Sequence, residues 1–288
     1  MNKKSVALVL AVGLALTVFS LTGGAQTKPL TTAAATTRVA PAPAAALLDL
    51  LPPSDLVAFV HVKRLITEAA PKVFGDDPAK LAEFNAEIDA FKTKTGIDAR
   101  SFDSVAVGMR YQSPAPGVTT ADTVFIAQGT FNAGALASTA RLGADLLTKG
   151  KAQEEKYKGA TIYIYNVSDL VHVPGLGKMS MKETAMTTLD SNTIVFGDPS
   201  AVRATLDARE GSTGGANADL IKLAQRSPNA LMGFSANVPP ELTANAHFGN
   251  AEITRIISSI RQAYGAVGTT ADGFDMLAVA RTENCVAD

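Results

Sequence analysis

The sequence predicts an α+β fold: an antiparallel sheet in the split order β-α-β-β-α-β, with helices on one face and a partial duplication in the C-terminal segment. Three observations predict it. Apolar runs rich in strand-forming residues alternate with segments whose apolar residues recur at helical spacing. A Pro/Gly-rich loop joins two of those runs, as a hairpin requires. The opening elements then recur after residue 216.

The elements follow in order. Leu56 to Val62 (LVAFVHV) is an apolar, β-rich run after the turn Pro52-Pro53-Ser54-Asp55. Asp77-Pro78 opens a helix, with the acid as cap and proline in the first turn. Leu81, Phe84, Ile88 and Phe91 form its apolar face, and Gly96 ends it. Phe102 to Tyr111 and Thr123 to Phe131 read as two strands of a hairpin around Ser113-Pro114-Ala115-Pro116-Gly117. Asn132 caps a second helix carrying Leu136, Leu142, Leu146 and Leu147, which Gly150 ends. Lys151 to Lys158 is charged and reads as a solvated stretch. Ala160 to Val167 reads as a strand, with Ile162 and Ile164 alternating against Tyr163 and Tyr165. Two short strands follow, Glu183 to Leu189 and Asn192 to Phe196, turned by Asp190-Ser191. Asp198-Pro199 opens another helix, and Glu210 to Ala216 is the internal linker. The first six elements match the split βαβ order.

After that linker, Leu231, Gly233 and Phe234 match Leu56, Ala58 and Phe59. A helix is expected next, with Ile253, Ile256, Ile257 and Ile260 on one face, Asn250 as cap and Gly265 as stop. Phe274 to Ala280 then matches Phe102 to Gly108, at nearly the same distance from the preceding phenylalanine. This reads as a first repeat over 47–209 and a partial second repeat over 217–288. On this reading the hairpin partner of the last strand is missing, which leaves an open edge.

The chain starts with Met1-Asn2-Lys3-Lys4, an uncharged run from Ser5 to Leu21, and Gly23-Gly24-Ala25. A basic start, an apolar run and small residues at the exit form a signal peptide over residues 1–25. The run is at the short limit for a span, so a stable membrane anchor requires that the signal stay uncleaved. Residues 26–46 are rich in Thr, Ala and Pro, and read as an extended flexible linker. The folded domain is expected over 47–288. The signal, the Ala/Pro linker, the Leu51-Pro52-Pro53-Ser54-Asp55 opening and the recurring α+β elements together resemble a group of exported bacterial proteins with a duplicated architecture. That resemblance implies a style of fold and carries no assigned chemistry.

Composition narrows the function classes. Hydrophobic residues make up 47% of the chain, enough for a core, and the formal net charge is −1. With no basic excess to neutralise phosphates, nucleic acid is not an expected partner. Cys285 is the single cysteine, so neither an internal disulfide nor a thiolate zinc site is available. His61, His172 and His247 stand apart, with no His-x-His or His-Glu-x-x-His spacing. There is no Gly-x-Ser-x-Gly elbow and no Ser-x-x-Lys. Pro174 to Ser180 contains a Gly-Lys pair, but Met179 holds the Ser/Thr position of a phosphate loop. Asp76-Asp77 suits a helix start, and Glu154-Glu155 a solvated stretch. Asp103 and Asp275 each follow a phenylalanine at a strand start, read as turns or caps rather than ligands.

The expectation is an exported, periplasmic or surface-facing protein without a cofactor. It would bind a protein or envelope component, or help assemble one, without catalysis. The alternatives are an exported hydrolase whose catalytic groups meet only in the fold, and a small-ligand or lipid carrier with a large apolar pocket.

Overall fold

Every residue of Leu56–Val60 is apolar, and such a run suits a strand covered on both faces. In the computed structural model of the chain this strand, β1, lies inside a single 10-stranded sheet. The structure describes residues 43–95, 97–115, 118–148, 153–166, 183–212, 214–243, 251–271 and 273–282. The proposed signal peptide, Gly96, Gly150, His172, the Pro174 to Ser180 loop, His247, Asn250 and Cys285 lie outside them.

Helix α1 (Pro43–Leu48) precedes β1. After β1, α2 (Val62–Arg64) runs through a π-helical turn (Leu65–Ala69) into α3 (Ala70–Val73), and Ala70 N donates to Leu65 O at the junction. Then come α4 (Pro78–Thr95), the hairpin β2 (Phe102–Ala115) and β3 (Val118–Gly129), and α5 (Ala133–Thr148). A four-strand run follows: β4 (Gln153–Tyr157), β5 (Ala160–Asn166), β6 (Glu183–Thr188) and β7 (Thr193–Gly197). Helices α6 (Pro199–Arg209) and α7 (Ala218–Ala224) lead to β8 (Ala230–Asn237). Last are α8 (Pro240–Thr243), α9 (Ala251–Ser258) and the hairpin β9 (Ile260–Thr270) and β10 (Gly273–Thr282).

The strand order is β10-β9-β8-β1-β2-β3-β7-β6-β5-β4, and every neighbouring pair is antiparallel. The α+β class and the antiparallel sheet are as the sequence predicts. The split order is not formed. It would insert the third strand between the first two, whereas β1 pairs directly with β2. β5, expected as the fourth strand of that unit, instead lies between β4 and β6. Apolar periodicity specifies a strand's faces and leaves its neighbours open, and here β8 supplies the other neighbour of β1.

Helices cover both faces rather than one. Val57, Phe59, Ile126 and Ile162 face a core closed by Leu47 and Leu48 of α1, Val202 and Leu206 of α6, and Leu220 of α7. Ala58, Val60, Val107 and Ile194 face a second core, closed by Val62 and Leu65 and by Ala137 of α5. Each fully buried Leu, Ile or Val contributes about 1.5–3 kcal/mol relative to exposure. Consecutive residues of β1 are buried on alternate faces, which is the direct reason that both faces need helices.

Three local readings are corrected. Pro43–Ala46, placed by composition in the linker, form the first turn of α1, where proline lacks only a donor that the helix leaves unpaired anyway. Gln153–Tyr157, part of the stretch expected to be solvated, is the edge strand β4. The tight Lys158-Gly159 turn joins it to β5, and both turn residues have positive φ, 47° and 75°. The helix expected to run through Ile260 to Gly265 ends at Ser258, and Ile260 opens β9. That strand is the hairpin partner that the sequence pattern lacks.

The residue matches of the internal recurrence do not coincide in the sheet. Phe59 pairs with Gly233, while Phe234 pairs with Ala58, so the two phenylalanines point to opposite faces. β2 lies beside β1, but β9 separates β10 from β8. The layout is nonetheless similar on the two sides of the β1/β8 pair: each strand leads through helices into a hairpin. The loop expected as an inter-repeat linker is docked, with Ala216 N donating to Leu51 O at 2.9 Å.

Candidate binding groove

A groove of about 800 Å³ lies at the end of the sheet that carries the β4–β5 and β6–β7 turns. Four elements position its walls. Asn132 caps α5, its Oδ1 accepting from Ala135 N at 2.9 Å, and so sets Ser138 and Arg141 along one wall. The left-handed Lys158-Gly159 turn lifts Lys158 to the rim. β5 contributes Thr161 and Tyr163, and the end of α6 contributes Arg209 and Glu210.

The charges are arranged unequally. Arg141 bonds Glu154 at 2.8 Å and lies 5.2 Å from the centre of the Tyr163 ring. Lys158 lies 3.0 Å from Asp207 and 3.2 Å from Glu210. Its hydrogen bond to Asp207 holds the ammonium pKa above its ordinary value. Asp207 is held below the usual carboxylate range by that same bond, helped by the Tyr157 hydroxyl, which donates to Oδ1 at 2.9 Å. Arg209 is exposed and has no ion pair among the described residues. The groove therefore offers one cation without an ion pair among the described residues, Arg209, beside two cations that carboxylates already hold. Among the described residues its one acid, Glu210, is bound to Lys158, and no histidine or cysteine lines it. The hydroxyls of Ser138, Thr161 and Thr188 share the groove with that single carboxylate. The lining can bind and orient a polar ligand through its cations and hydroxyls.

The residues that the sequence singles out lie elsewhere. His61 follows β1 at the cap position of α2, and its Nδ1 is 2.9 Å from Ser104 Oγ, a residue 43 positions away. The pairing extends the β1–β2 register by one step past Val60 and Val105. A histidine beside a serine is the start of a hydrolase arrangement, but both are buried, at 8% and 1% exposure. Among the described residues no carboxylate is hydrogen-bonded to the imidazole, and neither residue lines this groove. Burial lowers the His61 pKa, the Arg64 charge acts in the same direction, and Glu68 opposes. The pair reads as a satisfied core contact, with the His61 ring also edge-on to Phe59.

Asp103 and Asp275 do not converge. Asp103 sits at a register shift in β2 and reaches Lys63 at 3.5 Å. Asp275 is on β10, with three strands between them. Asp77 caps α4 through Lys80 N at 3.2 Å. Glu154 and Glu155, on opposite faces of β4, bond Arg141 and Arg203, the latter through a two-bond fork of 2.8 and 2.5 Å. Among the described residues no group of three or more His, Cys, Asp or Glu side chains is placed to hold a metal. Among them, too, no helix is long and apolar enough to cross a membrane.

No family model matches the chain, and no curated protein matches it. One similar solved structure, described as "Structure of crystal form I of TP0453", has 10% identity and a TM-score of 0.44, covering 84% of this chain and 81% of that one. A likeness at that distance carries no argument about function.

Proposed function

We propose that the chain is an exported, non-catalytic binding module that receives an anionic group of its ligand in the groove between α5, the β4–β5 turn and α6. The observation that carries this reading is the lining itself: Arg141, Lys158 and Arg209 share one groove with the hydroxyls of Ser138, Thr161 and Thr188 and a single carboxylate, Glu210. An incoming carboxylate or phosphate would pair with Arg209 and compete with Glu210 for Lys158, which are charge-assisted contacts. The leader from Met1 to Ala25 supports placing that activity outside the cytoplasm.

Titration of the isotopically labelled chain with inorganic phosphate and with citrate, read by amide chemical shifts, tests the reading. The expected response is confined to Gly159, Thr161, Thr188, Arg209 and their neighbours. It should weaken as ionic strength rises. Arg209→Glu should abolish it while leaving the spectrum otherwise intact. Shifts that ignore the groove, or none with either anion, would overturn the reading.

A further inference from the structure

The two edges of the sheet are built differently. β4 is short and carries Glu154, Glu155 and Lys156 within five residues, the usual protection of an edge. β10 is ten residues long, contains neither proline nor lysine, and pairs only with β9 among the described residues. Its outward strand edge is joined by exposed apolar side chains, with Phe274 at 43% and Met276 at 67% exposure. Phe274, Met276, Ala278 and Ala280 lie on one face. Asp275, Leu277, Val279 and Arg281 alternate on the other.

The only charges between Phe274 and Arg281 are Asp275 and Arg281, one near each end. In an antiparallel pair, opposing residues share a face. A symmetric self-pairing must therefore place one residue opposite its own copy. Centred on Ala278, that pairing sets Asp275 opposite Arg281 of the second copy, twice by symmetry. It also sets Leu277 opposite Val279, and Met276 opposite Ala280. Arg281 is held ready on this face: its Nη1 donates to Gln262 Oε1 at 2.7 Å, and the guanidinium lies 5.3 Å from the centre of the Tyr264 ring. Asp275 has no ion pair among the described residues. We infer that β10 is a self-association edge, and that two copies of this chain join their sheets through antiparallel β10 pairing centred on Ala278. Strand addition supplies main-chain hydrogen bonds along the edge, and the two Asp275–Arg281 contacts fix the register.

The inference goes beyond the groove, which lies at the other side of the sheet. Sedimentation velocity on the full chain, from about 1 to about 100 µM, tests it over the range of a transient interface. The expected result is a concentration-dependent dimer with twice the monomer mass. Asp275→Arg and Arg281→Asp should each abolish it, and the double exchange should restore it. Met276→Lys, which leaves both charges in place, should also abolish it. Circular dichroism should be unchanged in each variant, which separates loss of pairing from loss of fold. A monomer at every concentration would overturn the inference. So would a dimer that survives both single charge reversals, because its interface would then lie elsewhere.

Discussion

Phe59 lies opposite Gly233 across β1 and β8, and its ring covers the glycine. A methyl group at Gly233 would lie 2.8 Å from Phe59 Cε1 and 2.2 Å from the Ala224 carbonyl oxygen. The same device recurs one strand further out, where Phe234 faces Gly265 and its ring would be 2.7 Å from an added Cβ. Each aromatic restores the apolar contact that the glycine gives up, and each glycine leaves room for the ring.

Gly233→Ala is therefore expected to destabilise the fold. The clash involves backbone as well as ring, so it cannot be relieved by a rotamer change alone. Overpacking of this kind costs about 1–3 kcal/mol. For a domain of this size the melting temperature should fall roughly 2–4 °C per kcal/mol. Gly214→Ala is the control, since an added Cβ there meets nothing within 4 Å. Thermal melts followed by circular dichroism would separate the two. Equal melting temperatures would contradict the packing account.

His61 gives the fold a pH dependence with a definite sign. Burial, then the Arg64 charge, holds its pKa below the ordinary 6.5, so the folded state prefers the neutral ring. A histidine depressed in this way contributes stability that is complete above the unfolded pKa. That stability is lost as pH falls through the folded value. Urea midpoints measured from about pH 8 to about pH 5 should fall on the acid side of about 6.5. His61→Gln keeps a polar partner for Ser104 and cannot take up the charge. Its midpoint should vary less over the same range. An unchanged slope in that variant would assign the pH dependence to other groups.

Part of this arrangement is legible in the sequence and part is not, for physical reasons. β1 is readable because an unbroken apolar run has few other uses. The β6–β7 turn is readable because Asp190 is a turn-former, and its Oδ1 accepts from Asn192 N at 2.9 Å. β4 is hidden because Gln153-Glu154-Glu155-Lys156 is polar on both faces. The signal for it is the Lys158-Gly159 turn rather than the strand itself. β9 is hidden because Ile260 continues the helical spacing of Ile253, Ile256 and Ile257. Gly265 and Gly268 are the contrary signal, since paired glycines within a helix are costly. The groove cannot be read from the sequence at all. Arg141, Lys158 and Arg209 come from the middle of α5, the β4–β5 turn and the end of α6, and only the strand order brings them together.

The proposed leader predicts a processed chain. Cleavage after Ala25 would leave Gln26 as the first residue and remove Lys3 and Lys4 with the apolar run. Expression of the full chain in a bacterial host, followed by intact-mass analysis of the periplasmic and membrane fractions, reads this directly. The expected mass is that of a chain beginning at Gln26, outside the cytoplasm. A cytosolic chain that keeps Met1 to Ala25 would remove the basis for an extracytoplasmic role.

Asp198 stands at the cap position of α6, but its carboxylate serves the sheet instead. Its backbone N donates to Thr123 O at 2.8 Å, and its Oδ2 accepts from Thr123 N at 2.7 Å. The side chain thus extends the β3–β7 ladder by one step, just before Pro199, which has no N–H to offer. Burial raises the Asp198 pKa, the Thr123 bond partly offsets this, and Asp122 adds to the rise. A carboxyl raised in the folded state contributes most at low pH, and that contribution is lost as pH rises through the folded pKa. Near neutral pH its charge is therefore a burden, while its acceptor oxygen is an asset. Asp198→Asn keeps an acceptor and removes the charge, so it should be neutral or stabilising at pH 7. Asp198→Ala leaves Thr123 N without its partner and should cost about 1 kcal/mol. Denaturation of both variants at pH 7 decides the matter. If Asp198→Asn loses as much stability as Asp198→Ala, the charge itself is the stabilising feature and the ladder argument fails.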